Sequence, residues 1–75
     1  MSSTLTARRA QIIEAVTQAR QEQGLSQKKL EALSGVKQPI IARMERGVTS
    51  PQLDTVLKVL EPMGMTLAVV PLDRP

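Results

Sequence analysis

The four glycines of the chain, Gly24, Gly35, Gly47 and Gly64, each stand at the end of a stretch whose apolar residues recur every three or four positions. Glycine enters the left-handed conformation that closes a helix at little cost, so this punctuation divides the sequence into four helical lengths joined by tight turns. The first, about residues 6–23, carries Ile12, Ile13, Val16 and Ala19 as an apolar stripe with Arg8, Arg9, Gln18, Gln21 and Glu22 elsewhere. A second, over 27–34, is capped by Ser26 and runs through Leu30 and Leu33 to Gly35. A third spans 37–46, with Ile41 and Met44 as its stripe and Ile40 at the rim of the core. The fourth should begin with Ser50 as N-cap and Pro51 at the first helical position, and present Leu53, Val56, Leu57 and Leu60 as one face.

After the last glycine the pattern changes. Residues 65–70, closed by Pro71, alternate Met65, Leu67 and Val69 with Thr66, Ala68 and Val70, which predicts a short strand. Nothing else in the chain reads as strand, and a lone strand leaves its N–H and C=O groups without a ladder. Its partner must be another chain, or the segment is no strand. A second copy would supply the symmetric partner, in an antiparallel ribbon across a two-fold axis built from Met65, Leu67, Val69 and Val70; the sheet edge of a different protein is the asymmetric choice.

Seventy-five residues make one small domain, 1–75, with no linker and no internal repeat. With no cysteine and no histidine, a disulfide framework, a structural zinc module, and enzymes that use a Cys nucleophile or a His base are excluded. The Ser, Thr, Lys and carboxylate side chains fall into no arrangement that suggests an activated nucleophile or a metal site, so neither an enzyme nor a cofactor is expected. Two arginines near the N-terminus are followed by no long apolar run, which predicts a cytoplasmic protein with no membrane role.

The formal net charge is +3. It is concentrated in the middle: residues 26–46 hold Lys28, Lys29, Lys37, Arg43 and Arg46 against Glu31 and Glu45. The second and third helices, joined around Gly35 and Val36, have the proportions of a helix-turn-helix over 26–46. Leu30, Val36, Ile41 and Met44 are apolar where the two helices meet, while Gln27, Lys28, Lys37, Gln38 and Arg43 stay polar. Lys28 and Lys29 lie in the first turn of the second helix, where the helix dipole disfavours cations. A DNA phosphate there would compensate, accepting from the backbone N–H groups, the Gln27 amide and Lys28.

The run from Gly24 to Gly47, GLSQKKLEALSGVKQPIIARMERG, resembles the XRE-type and phage-repressor helix-turn-helix family. Ser26, Gln27, Leu30, Gly35, Val36, Ile41, Glu45 and Gly47 carry the pattern in order. The resemblance implies an all-α, four-helix repressor-like domain that binds double-stranded DNA. Lys37, Gln38, Pro39 and Arg43 would face base edges, and Ser26, Gln27, Lys28 and Arg46 would face phosphate. A Gln amide can pair bidentately with adenine and an Arg with guanine. Two residues depart from the family: Pro39 can offer only van der Waals contact, and Glu31 stands where alanine is usual and needs a partner. Glu45 is expected to be architectural, paired with a basic residue or a backbone group.

A four-helix domain of this kind ending in a lone strand is also similar to the antitoxins of type II toxin–antitoxin pairs, of the HipB-like or HigA-like kind. That likeness implies a cytoplasmic homodimer on a palindromic operator that represses its own operon and binds a toxin. A stand-alone XRE-type or phage-type regulator is the alternative, and a protein-interaction module without a DNA role is a third.

Overall fold

The computed structural model describes residues 2–72, so both ends of the 1–75 domain range lie outside the described residues. Four helices follow one another: α1 (Ser2–Glu22), α2 (Gln27–Ser34), α3 (Gln38–Glu45) and α4 (Leu53–Leu60), the last running into a single 3-10 turn, Glu61–Met63. All four glycines adopt positive φ, between 69° and 80°, as the punctuation required. At Gly35, φ of 80° puts the chain in the left-handed region while its N–H closes α2 on Glu31 O at 2.8 Å. Gly35 opens the three-residue turn, 35–37, that separates the two helices and sets the angle at which α3 is presented.

The core is wholly apolar and contains no aromatic residue, so methyl and methylene groups alone fill it. Leu30, Ile41, Met44 and Val59 are the largest fully buried side chains, each stabilising the fold by roughly 1.5–3 kcal/mol. Ile13, Val16 and Ala19 of α1 and Val36, Val56, Leu60 and Met63 complete it, with Leu25 and Leu67 packed against its edge. α3 is packed by α2 on one side and α1 on the other.

Several details differ from the sequence reading, each because packing settled what local pattern left open. α1 begins a turn earlier than expected, and its residues 4–12 are all exposed, Ile12 included. The core takes up only the second half of the helix. Leu33 and Ile40 are exposed as well, Ile40 at 47%, so Ile40 is a surface residue beside α3 and not a rim of the core.

α4 starts at Leu53 with Gln52 as N-cap, and Ser50 and Pro51 stay outside it. Proline presets φ near −65°, a value shared by helix and extended backbone, so Pro51 cannot choose between them. The choice falls to the docking of Val56, Val59 and Leu60, all buried. Two overlapping apolar stripes run along this helix. The one that packs includes Val59 and Met63, which leaves Leu53 63% exposed and Leu57 partly so.

No strand forms among the described residues. Residues 65–70 have no ladder partner among the described residues. The Met65 N–H returns to Leu60 O at 3.1 Å and Leu67 is half-buried against the core, whereas Met65, Val69 and Val70 are exposed. This follows from the hydrogen-bond argument: one isolated extended segment in one chain has nothing to pair with.

Candidate nucleic-acid interface

α2 owes its start to Ser26, whose Oγ accepts from the Lys29 N–H at 2.9 Å. The Ser26 hydroxyl proton stays available for donation. Gln27 N and Lys28 N, the next two backbone donors, meet no acceptor among the described residues. Lys28 is 81% exposed and forms only a long 3.4 Å pair with Glu31, an exposed contact of little strength. The start of α2 therefore presents two free N–H groups, a hydroxyl and an exposed cation on one patch.

The start of α3 is satisfied differently. Lys37, its N-cap, makes no side-chain cap bond. Glu31 supplies the cap from α2, with its Oε1 accepting from Gln38 N at 3.2 Å. Pro39 has no N–H to satisfy, and the Ile40 N–H bonds to Lys37 O at 2.9 Å. Glu31 thus finds the partner its position demanded: it pins α3 against α2 through the Gln38 N–H.

Beneath these helices lies a chain of polar contacts that joins Gln27, Gln38 and Glu45, each singled out by the sequence, to Arg20, which was not. Arg20, on α1, donates through Nε and Nη2 to both carboxylate oxygens of Glu45 at 2.7 and 2.9 Å, and through Nη1 to Leu25 O at 2.6 Å. The two side chains keep only 11% and 7% of their surface. Glu45 Oε1 also accepts from Gln27 Nε2 at 2.9 Å, and Gln27 Oε1 accepts from Gln38 Nε2 at 2.6 Å. Glu45 is architectural, as expected, and Arg20 is its basic partner. A signal for it existed: Arg20 falls four residues after Val16 and seven after Ile13, on the buried stripe of α1, where a charge requires a counter-charge.

The expected base-facing residues occupy one region. Lys37, Pro39 and Arg43 are exposed, and neither cation has a side-chain partner among the described residues. Gln38 is half-buried and held by Gln27. Arg46, the C-cap of α3, is exposed too. Each expected phosphate residue has a polar group at the surface, with Gln27 the exception because its amide is engaged on both sides. Among the described residues no helix is long and apolar enough to cross a membrane.

A family model described as helix-turn-helix matches residues 16–70. An uncharacterized HTH-type transcriptional regulator from Haemophilus influenzae is 58% identical over 64 residues, covering 85% of this chain. The chain spans 65% of that relative's length. Among solved structures, a toxin–antitoxin module from Streptococcus pneumoniae is similar at 60% identity with a TM-score of 0.75, over 95% of this chain and 79% of that one.

Proposed function

The chain belongs to the XRE-type helix-turn-helix family, and on that premise we propose that it is a sequence-specific DNA-binding repressor and the antitoxin of a type II toxin–antitoxin pair. One observation carries the DNA reading. The exposed side of α3 presents Lys37, Gln38, Pro39 and Arg43, while the start of α2 beside it offers free N–H groups, Ser26 and Lys28. α3 enters the major groove and meets base edges through these four residues. Ser26, Lys28, Arg46 and the backbone around Gln27 clamp the flanking phosphates.

The antitoxin role is supported by the likeness to the Streptococcus pneumoniae module. In it the protein works in the cytoplasm, binds a toxin and represses its own operon. Two copies join through residues 65–70 as an antiparallel ribbon, with Met65, Leu67, Val69 and Val70 at the join. The exposure of Met65, Val69 and Val70 supports this, as does an apolar groove beside the segment lined by Ile12, Ala15, Val16, Leu60 and Met65. A two-fold dimer of this kind sets two α3 helices in successive major grooves, about 34 Å apart, on a palindromic operator. The double substitution Val69→Asp/Val70→Asp places four charges at the join, two from each copy. It should convert the dimer to monomer in sedimentation velocity at micromolar concentration; an unchanged sedimentation coefficient would remove this segment from the interface.

The DNA reading is tested with fluorescent duplex from upstream of the protein's own gene against a scrambled duplex, with salt varied in both. The expected result is a preference of about a thousandfold or more for the upstream duplex that persists as salt rises. Equal binding to both duplexes that vanishes with salt means a basic surface only, and sinks the repressor reading.

A further inference from the structure

We infer that Arg20 and Glu45 fix the base preference of Gln38 from inside the domain, by imposing one orientation on the Gln38 amide through Gln27. The inference rests on the reading that Gln38 faces base edges, and it adds what that reading leaves open: which edge the amide presents.

The argument follows the protons. An ionised carboxylate has acceptors only. Both Glu45 oxygens accept from guanidinium N–H groups, and Arg20 is itself anchored on Leu25 O. The side chain that meets Glu45 Oε1 must present a donor, so Gln27 turns its NH₂ group inward at 2.9 Å. Its oxygen then points outward, and only a donor can meet it. Gln38 does so with Nε2, at 2.6 Å. A free glutamine could rotate its amide by half a turn at little cost; this one cannot, because reversal would set oxygen against oxygen at 2.6 Å.

The consequence reaches the surface. One N–H of the Gln38 amide is used on Gln27, and Gln38 Oε1 accepts nothing among the described residues. What remains to face a groove is a single N–H beside a single oxygen, in fixed order. Adenine shows an acceptor, N7, beside a donor, the N6 amino group, and matches that edge. Guanine shows two acceptors, N7 and O6, and would set O6 against Gln38 Oε1. Arg20 and Glu45 are positioning residues here: they need touch no base, and they turn an adaptable amide into an adenine-selecting one.

The experiment selects a pool of duplexes with randomised half-sites on the full-length protein and sequences the bound fraction, for the wild-type chain and for Gln38→Ala, Glu45→Gln and Gln27→Met. Gln38→Ala identifies the position that Gln38 contacts as the one where preference is lost. If no position changes in that variant, the base-reading role of Gln38 itself fails, and the inference with it. At that position the wild type should prefer adenine to guanine by about tenfold or more. Glu45→Gln keeps the shape but can offer oxygen or NH₂ to Gln27, so the preference should collapse to within about threefold while the Arg43 position keeps its own.

Gln27→Met leaves the Arg20–Glu45 pair whole and covers the case in which Glu45→Gln does not fold. It should give the same selective loss at the one position, together with collapse of the Gln38 side-chain NH₂ proton resonances toward random-coil values in the free protein. Full adenine preference in folded Gln27→Met, or a wild-type preference for guanine, overturns the inference.

Discussion

Glu45→Ala should lower the unfolding free energy by about 3–5 kcal/mol, the usual cost of removing one partner from a buried ion pair. The geometry accounts for the size. Arg20 would keep its bond to Leu25 O but lose both carboxylate contacts while only 11% of its side chain reaches water, and the Gln27 NH₂ would lose its acceptor. A domain of this length has a total stability of about 4–11 kcal/mol, so a large share disappears in one step. At roughly 4–8 °C per kcal/mol, the melting temperature followed by circular dichroism should fall by about 12 °C or more. The double substitution Arg20→Met/Glu45→Leu should recover most of the loss, because it removes the stranded charge as well as its partner. A fall of only a few degrees in Glu45→Ala would mean that the pair behaves as an exposed one and that α1 and α3 are joined by apolar packing alone.

That pair also shows where sequence reading stops. The helix-turn-helix was legible because its determinants are local: Ser26 caps three residues ahead, Gly35 turns the chain within its own span, Ile41 and Met44 recur at helical spacing, and Leu30 and Val36 are apolar where the two helices meet. The Arg20–Glu45 contact joins residues 25 apart in sequence, and no periodicity reports on a partner so distant. Only the placement of Arg20 on a buried stripe hinted that a counter-charge must exist.

The errors in α4 have the same origin. Leu53, Val56, Leu57 and Leu60 fit a helical stripe as well as Val56, Val59, Leu60 and Met63 do, and the choice between them depends on what α4 meets, which the sequence does not show. The exposure of Leu53, Leu57, Met65, Val69 and Val70 then carries its own meaning. Leu57 and Met65 line one shallow surface and Ile12 and Met65 the next, so these three of the residues left over by the single-chain core are neighbours in space. Contiguous apolar surface on a domain this small is what a second chain would cover.

Gln38→Ala combined with Arg43→Ala should weaken binding to the operator by about thirtyfold or more while leaving the fold intact. Each bidentate base contact contributes about 1–3 kcal/mol of discrimination, so the pair accounts for about 2–6 kcal/mol. The two residues are five apart on α3, about 140° around the axis and about 7.5 Å along it, which places them on opposite flanks of a helix lying in a groove, roughly two base steps apart. They read different bases, and their losses should therefore add.

The fold should tolerate the change because Arg43 is exposed without a side-chain partner among the described residues and Gln38 gives up one contact to Gln27, so the melting temperature should move by only a few degrees. Binding to scrambled duplex should persist with little change in its salt slope apart from the one lost cation, since Lys28, Lys37, Arg46 and the start of α2 remain. Operator affinity and scrambled-duplex affinity would then converge, by loss of the former alone. If the operator is bound as tightly by the double variant as by the wild type, α3 is not the element that reads the sequence, and recognition must pass to another part of the chain.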